Sequence, residues 1–299
     1  MVADLIDGRA RASLLREEVA AELKAVDAAG RQPGLVTVLV GDDYRAAAYE
    51  HRLRRVASEI GMPYRCERLG ADASLAEVVG LVFLLGKDPG VSGILVFRPL
   101  PRGLDEGLVF RALPPEKDIE AVHPENAGLL ALGTPRFVPS TPAAVYHLLD
   151  SWLDDVGEDR VGFYRRSSIV VVGRSNNVGK PAVSLGMSRG AMVTSVDEHA
   201  SAAGRLAEQT VRADVLIVAA GAPGLIGPEE VRKGAIVIDV GINPLTDPGS
   251  GRVRLVGDVT PGVAEVARAL TPVPGGVGPV TDVWLFRNAV RAAARMACA

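Results

Sequence analysis

Val170-Val-Val-Gly-Arg-Ser-Asn-Asn-Val-Gly-Lys-Pro181 is the stretch of sequence that decides the fold of this chain. Its β-branched residues predict a strand from Ile169 to Val172 that is buried on both faces. Gly173 ends this strand, and a loop then leads to a helix that has Pro181 in its first turn, where proline loses no hydrogen bond. Free amides and the helix dipole at such a turn attract phosphate. The stretch therefore predicts a strand, a loop and a helix that bind a phosphate-bearing cofactor.

The spacing of the glycines leaves a second interpretation open. Gly173 and Gly179 do not follow the G-x-G-x-x-G pattern of dinucleotide-binding turns, so the motif alone does not settle its role. The glycines would otherwise serve only a tight connection between a strand and a helix.

Length and composition exclude several classes of protein. The chain has 299 residues, which fits two domains, and its hydrophobic fraction of 48% is ordinary for a globular protein. A net charge of −3 gives no basic surface for nucleic acid, and two cysteines are too few for a metal cluster. No apolar run is long enough for a membrane helix, and the first residues are acidic where a signal peptide is basic. We expect a cytoplasmic protein with no nucleic-acid or membrane partner and no metal.

Alternating strands and helices predict an α/β fold in two domains, each with a parallel sheet, the second Rossmann-like and dinucleotide-binding. The predicted strands are residues 35–40, 64–69, 93–97, 169–172, 192–196, 215–219 and 235–240. We assign residues 1–142 to the first domain and 143–279 to the second, and expect a final helix at 280–299 to pack back on the first. Residues 108–142 read mostly as a loop, and long loops often carry function.

Motifs along nearly the whole chain resemble the bifunctional methylenetetrahydrofolate dehydrogenase/cyclohydrolase family. They are Ile6-Asp-Gly8, Thr37-Val-Leu-Val-Gly-Asp-Asp43, Gly93-Ile-Leu-Val96, Pro115-Glu-Lys-Asp118, Thr141-Pro142, Val172-Gly-Arg-Ser175, Val178-Gly-Lys-Pro181, Ile238-Asp-Val-Gly-Ile-Asn243, Gly257-Asp-Val259 and Thr271-Pro-Val-Pro-Gly-Gly-Val-Gly-Pro279. The resemblance implies that 5,10-methylenetetrahydrofolate is oxidised by hydride transfer to a nicotinamide and that the methenyl product is hydrolysed. It also implies a folate domain at 1–142, an NAD(P) domain at 143–279, a tetrahydrofolate substrate and a homodimer.

We assign residues to the two sites from the resemblance and, for Arg52, Asp197 and Glu198, from the chemistry of the side chains themselves. The expected cofactor-binding residues are Gly173, Arg174, Ser175, Val178, Gly179, Lys180, Asp197, Glu198, Gly221 and Ile242. The catalytic positions are Tyr49, Leu53, Phe97 and Glu120, and the substrate-binding ones are Tyr49, Arg52, Glu120, Pro274, Gly275 and Gly276.

Three of these positions depart from the pattern of the family. Leu53 stands where the family has a lysine four residues after the tyrosine, Phe97 replaces a glutamine, and Glu120 replaces an aspartate. Hydrolysis needs a group that takes up and returns a proton, and Leu53 does not titrate. We therefore expect hydride transfer with weak or absent cyclohydrolase activity. A non-oxidative one-carbon transferase and a catalytically silent paralogue remain the alternatives.

Tyr49 and Arg52 each allow two interpretations. Tyr49 can stack on a ring of the folate or be an ordinary half-buried residue. Arg52, three residues later, can bind the glutamate tail of the substrate or be a solvated helix charge. Phe97 can seal the site against water, and Glu120 can accept hydrogen bonds from the pterin ring.

The choice of cofactor depends on the end of the strand at 192–196. Asp197 and Glu198 follow it, where an acidic side chain meets the adenosine ribose and repels the 2′-phosphate of NADP. Arg174 would instead attract that phosphate. We expect NAD, with NADP possible, unless the two acids are only solvated turn residues.

Overall fold

The computed structural model describes residues 3–31, 33–246 and 252–296, and these residues form helices and mostly parallel strands. Their helices are α1 (Gly8–Ala28), α2 (Tyr44–Ile60), α3 (Leu75–Lys87), α4 (Glu106–Arg111), α5 (Pro124–Ala131), α6 (Ser140–Asp155), α7 (Arg160–Arg166), α8 (Gly179–Ser188), α9 (Glu198–Ala202), α10 (Leu206–Thr210) and α11 (Val277–Met296). Their strands are β1 (Asp4–Leu5), β2 (Leu35–Val40), β3 (Tyr64–Leu69), β4 (Gly93–Val96), β5 (Ser168–Val172), β6 (Met192–Val196), β7 (Val215–Val218), β8 (Ile236–Asp239), β9 (Asn243–Thr246), β10 (Val253–Val256) and β11 (Ala269–Leu270).

The chain divides into two compact units. The first unit comprises residues 13–140 and the chain from Asp282 onward, and the second comprises the chain up to Ala12 and residues 141–281. The segment up to Ala12 was expected in the first domain. It belongs to the second unit because β1 pairs in parallel with β11, at Asp4–Ala269 and Leu5–Leu270. Residues 297–299 of the expected final helix lie outside the described residues.

The first unit is built on the parallel sheet β3-β2-β4. All six residues of β2 are buried, as its β-branched and apolar sequence requires for a central strand. Helix α2 begins after Asp43, whose side chain accepts a hydrogen bond from the amide of Ala46, and it ends at Gly61 in the left-handed region. Beyond β4, the segment around Asp118 forms a parallel bridge with Ile94, which brings the loop that follows to the edge of the sheet.

The second unit is built on a six-stranded sheet in the order β1-β11-β8-β7-β5-β6, and all of its neighbouring strands are parallel. The strands β5, β7 and β8 in its middle are buried along their apolar positions. Their carboxyl ends meet at one edge, which is where ligands bind in sheets of this type. The expected α/β fold with a Rossmann-like domain is confirmed.

Two expectations about local structure were incomplete. Residues 108–142 are mostly loop as expected, but α4 and α5, which lie in or reach into this segment, were not expected. Both helices carry start signals: Asp105 accepts hydrogen bonds from the amides of Gly107 and Leu108, and Pro124 occupies the first turn of α5. The antiparallel pair β9 and β10 was not expected either. Among the described helices, none is long and apolar enough to cross a membrane.

Candidate functional site

Backbone contacts in the second unit define the turn between β5 and α8. Gly173 has φ +111°, and a Cβ atom there would lie 2.2 Å from the carbonyl oxygen of Ala219. A Cβ atom on Gly179 would lie 2.1 Å from the carbonyl oxygen of Gly173. Neither position can carry a side chain without moving backbone. The two glycines therefore let the end of β5, the loop after β7 and the start of α8 approach each other closely.

The amide groups at this turn are arranged differently from the sequence expectation. The side-chain oxygen of Ser175 accepts hydrogen bonds from the amides of Val178 and Gly179, and its carbonyl oxygen accepts one from Lys180. The first turn of α8 is therefore already capped. Within the described residues, the amides of the preceding loop, Arg174 to Asn177, donate no hydrogen bond. A phosphate bound here would accept hydrogen bonds from these loop amides. The ammonium group of Lys180 is held nearby, because its Nζ donates to Oδ1 of Asn176 at 2.7 Å.

Two buried aspartates fix the neighbouring loops, and sequence reasoning did not single them out. Asp258 is fully buried and accepts hydrogen bonds from the amides of Ala220 and Gly221 at 2.7 and 2.9 Å and from the side chain of Asn243 at 2.8 Å. Asp239 accepts from the amides of Gly241, Asp258 and Val259. Burial raises the pKa of Asp239 to about 6 against these hydrogen bonds. The loops after β7 and β8 are thus held by backbone-to-carboxylate bonds.

The strand end at β6 forms an ion pair. Asp197 caps α9 through the amide of Ala200 and also binds Arg174, whose Nη1 lies 2.7 Å from its carboxylate. The other guanidinium nitrogens of Arg174 donate to the hydroxyl and the carbonyl of Ser195. Hydrogen bonding from Ala200 and the charge of Arg174 lower the pKa of Asp197. Glu198 is exposed at the start of α9.

The proline- and glycine-rich segment lies against the start of α1 within the same unit. A Cβ atom on Gly8 would lie 1.7 Å from the carbonyl oxygen of Gly276, so glycine is required there. Gly275 has φ +114° and lies near the side chain of Arg9. These contacts require glycine at position 8 and favour it at position 275. Ile242, in the loop after β8, is 52% exposed.

Aromatic and charged side chains form a separate cluster in the first unit. The ring of Tyr49 on α2 meets the ring of Phe97 edge to face, with centroids 5.6 Å apart. The guanidinium carbon of Arg52 lies 4.9 Å from the centroid of Tyr49, and its Nε lies 3.4 Å from the carboxylate of Asp282 on α11. Burial, followed by the charges of Asp282 and Glu120, raises the pKa of the Tyr49 phenol well above its usual value. Tyr49 therefore stays protonated and cannot take up a proton as a general base.

Leu53 has no group that can titrate. It is fully buried on the inner face of α2, where the other buried residues are apolar except Glu50. Phe97 is also buried, at 4% exposure. Arg98 follows Phe97 and lies over the ring of Phe110 at 5.2 Å. Burial lowers the pKa of Arg98, although the carboxylates of Glu106, Glu120 and Asp118 oppose this shift.

Glu120 is a carboxylate held by the start of α6. Its two oxygens accept hydrogen bonds from the amide and the hydroxyl of Ser140, at 3.0 and 2.9 Å. Burial raises the pKa of Glu120 to about 7, because desolvation of the charge outweighs these two hydrogen bonds. Its neighbour Ala121 has φ +50°, a backbone conformation that costs a residue with a Cβ atom about 1 kcal/mol.

The loop before Glu120 is fixed by the fully buried Asp118. Its carboxylate accepts hydrogen bonds from the amides of Val122 and His123 and from the side chain of Asn126. Asn288 on α11 donates to the carbonyl oxygens of Ile119 and Val138, each at 2.8 Å. The loop that carries Glu120 is therefore bound on both sides.

Two family models match the sequence. Residues 6–120 match the catalytic domain of tetrahydrofolate dehydrogenase/cyclohydrolase, and residues 139–297 match its NAD(P)-binding domain.

Curated relatives and solved structures cover nearly the full length. Bifunctional protein FolD 3 of Rubrobacter xylanophilus is 60% identical over 98% of this chain and 92% of its own length. The crystal structure of the bifunctional enzyme FolD from Campylobacter jejuni is 33% identical, with a TM-score of 0.90 over 98% of this chain and 99% of that one. The methylenetetrahydrofolate dehydrogenase-cyclohydrolase of Trypanosoma brucei, solved with NADP cofactor and inhibitor, is 33% identical, with a TM-score of 0.89 over 100% of both chains.

Proposed function

This chain belongs to the tetrahydrofolate dehydrogenase/cyclohydrolase family, and from that premise we propose that it oxidises 5,10-methylenetetrahydrofolate with a nicotinamide cofactor while its cyclohydrolase activity is weak or absent. The observation that supports the proposed oxidation is the close backbone packing at Gly173 and Gly179, which we call the cradle. The observation that supports weak or absent cyclohydrolase activity is Leu53, a fully buried apolar side chain in the position of the family's lysine.

The second unit offers groups that fit a dinucleotide. The cradle leaves no space for a Cβ atom, and the loop of Arg174 to Asn177 presents amides to a phosphate beside the ammonium group of Lys180. Asp258 holds Gly221 and Asn243 in place beside this edge of the sheet. When bound, the nicotinamide supplies the acceptor of the hydride from the methylene carbon.

The first unit offers groups that fit a reduced folate. The face of Tyr49 is a stacking surface, and each oxygen of Glu120 keeps one lone pair beyond its bond to Ser140. These two acceptors suit the paired N–H donors of a pterin ring. Donors of that kind stabilise the charged carboxylate, so substrate would lower the pKa of Glu120 from about 7 and keep it ionised.

Hydrolysis has a different requirement that these residues do not meet. A water that attacks the methenyl cation must lose a proton, and a nearby group must accept it. Leu53 and Phe97 have no such group, Tyr49 stays protonated, and the guanidinium of Arg52 has no acceptor atom. Glu120 could accept a proton, but we assign its two oxygens to Ser140 and the pterin ring. We infer that positioning supports hydride transfer here and that water is not activated.

NAD is the proposed cofactor of choice. All three nitrogen atoms of the Arg174 guanidinium already bind Asp197 or Ser195, so a 2′-phosphate would have to displace these bonds and approach the carboxylate of Asp197. The relative from Trypanosoma brucei was solved with NADP, so the comparison of NAD with NADP is a direct test of this point.

The one-carbon transferase and the silent paralogue are not favoured, because the cofactor turn is complete in its glycines. The proposal further includes a homodimer that acts in the cytoplasm. The test is an absorbance assay of the purified protein with 5,10-methylenetetrahydrofolate and either NAD or NADP. We expect the reduced nicotinamide to appear, and its absence with both cofactors would refute the dehydrogenase.

A further inference from the structure

Asp282 is a buried carboxylate in the first unit to which the reaction above gives no role. It lies on α11, is 8% exposed, and its charged neighbours are Arg52 and Arg55 of α2. Burial raises the pKa of Asp282 to about 6, while Arg52 and then Arg55 oppose that rise. A carboxylate in such a position is costly unless a cation compensates it. Its ion pair with Arg52 supplies that compensation.

Arg52 is fixed by this contact and by the ring of Tyr49. Its Nε faces Asp282 at 3.4 Å, and its guanidinium carbon lies 4.9 Å from the centre of the ring. The side chain is 49% exposed. Among the residues that the structure describes, none accepts a hydrogen bond from its two terminal nitrogens. The guanidinium therefore presents a fixed pair of free donors beside an aromatic face.

A pair of free guanidinium donors is a receptor for a carboxylate. Arg55, one turn further along α2, is more exposed at 71% and pairs with Glu59 instead. The combination of an ion pair with Asp282 and an aromatic ring is therefore found at Arg52 and not at Arg55. Without Asp282, the long side chain of Arg52 would have only the ring to hold it, and its rotamer freedom would oppose binding.

We propose that Asp282 is a positioning residue that holds Arg52 over Tyr49 as the receptor for a substrate carboxylate, namely the glutamate tail of the folate. This inference rests on the proposed folate substrate. It assigns Asp282 to substrate affinity and gives it no part in hydride transfer. It also replaces the interpretation of Arg52 as a solvated helix charge.

The inference predicts a pH dependence. The carboxylate of Asp282 is present above its pKa of about 6 and is lost as the pH falls through that value. The glutamate carboxylates of the ligand stay ionised down to about pH 5. The groups that face Asp282 are Arg52, Arg55 and the phenol of Tyr49, and none of the three changes its charge between pH 5 and 8. Recognition of the tail should therefore weaken from pH 7.5 to pH 5.

The test compares tetrahydrofolate with tetrahydropteroate, which lacks the glutamate, by anaerobic titration calorimetry. We expect the full-length protein at pH 7.5 to bind tetrahydrofolate roughly tenfold more tightly than tetrahydropteroate. D282N and R52A should bring this ratio close to one. E59Q, which removes a carboxylate from the ion pairs of Arg16 and Arg55 in the same unit, should keep the full ratio.

Two results would overturn the inference: a ratio near one for the unmodified protein, or an unchanged ratio in D282N at pH 7.5. If D282N does not fold, R52A tests Arg52 as the receptor, and the ratio of the unmodified protein at pH 7.5 and pH 5 tests Asp282, because an equal ratio at both values would contradict its role. Calorimetry does not depend on catalysis, so a protein that discriminates the tail but reduces no cofactor would refute the proposed dehydrogenase and leave this inference standing.

Discussion

The sites of the two units are built from different parts of the chain. In the second unit the cofactor turn consists of backbone: Gly173 and Gly179 in contact, the loop amides, and the carboxylate of Asp258 bound to amides. In the first unit the proposed folate site consists of side chains: Tyr49, Phe97 and Glu120. A backbone site tolerates few substitutions because each added atom moves the chain. A side-chain site can change its chemistry while the fold persists, and we propose that this chain retains the first kind of site and has altered the second.

The largest expected effect would break the backbone site. G179A places a Cβ atom 2.1 Å from the carbonyl oxygen of Gly173, so the loop must move. We expect dinucleotide affinity to fall about 100-fold or more, measured by calorimetry, while circular dichroism shows a folded chain. G80A in α3, where nothing lies within 4 Å of the added atom, is the control and should bind normally. Equal binding by G179A would mean that the turn does not form the cofactor site.

A second experiment tests the protonation state of Glu120 in the proposed side-chain site. The pKa of Glu120 in the folded protein, about 7, lies above its value in an unfolded chain. Its contribution to stability is therefore full below about pH 4.5 and is lost as the pH rises through 7. E120Q has no such titration. We expect the unfolding free energy of E120Q relative to the unmodified protein to rise by about 2–3 kcal/mol between pH 4.5 and 8, at 1.36 kcal/mol per pKa unit.

Urea denaturation at several pH values measures this difference. Asp239 and Asp282 have raised pKa values in both proteins, so their contributions cancel in the comparison. A difference that stays constant with pH would show that Glu120 is ionised in the folded protein throughout.

A third experiment tests the proposed preference for NAD over NADP. This preference depends on side chains, although the cofactor turn in the same unit consists of backbone. We expect NAD to bind roughly tenfold more tightly than NADP, by calorimetry. D197S removes the repelling charge and frees the Nη1 atom of Arg174, so it should reduce or reverse the preference. E208Q, which breaks an exposed ion pair with Arg205, should leave it unchanged. Tighter binding of NADP by the unmodified protein would make Arg174 the dominant contact.

The smallest expected effect concerns Ala121, beside Glu120. Its φ of +50° favours glycine, but its methyl group is buried at 6% exposure. Relief of backbone strain and loss of this methyl group nearly cancel, each at about 1 kcal/mol. We expect A121G to change the unfolding free energy by less than about 1 kcal/mol in urea denaturation. A large loss of stability would mean that the methyl group packs more tightly than its burial indicates.

The sequence predicts the strands well because their signal is local. Strand β2 was expected at 35–40 and lies at Leu35–Val40, since a run of buried β-branched residues has one stable environment in an α/β fold. Gly173 and Gly179 could be identified for the same reason, because glycine at a strand-to-helix turn reports a backbone need.

The parts that the sequence did not predict depend on distant partners. Asp258 binds Gly221, 37 residues away, and Asp282 faces Arg52, 230 residues away. Asp258 lies in a motif quoted above, but no local pattern shows which groups such carboxylates bind before the fold brings their partners together. Ser175 is a similar case, because its role in capping α8 depends on the loop geometry that follows it. The position of Leu53 could be read from the family pattern, but its complete burial could not.

The central claim is that hydride transfer persists in a site that no longer activates water. The most direct measurement supplies 5,10-methylenetetrahydrofolate and NAD to the purified protein at pH 7 and follows the reduced cofactor and the methenyl product separately. We predict that both accumulate together, with methenyl hydrolysis close to the uncatalysed rate, because loss of a general acid or base lowers a rate about 10²- to 10⁴-fold. Hydrolysis of methenyltetrahydrofolate at a rate comparable to hydride transfer would contradict this account.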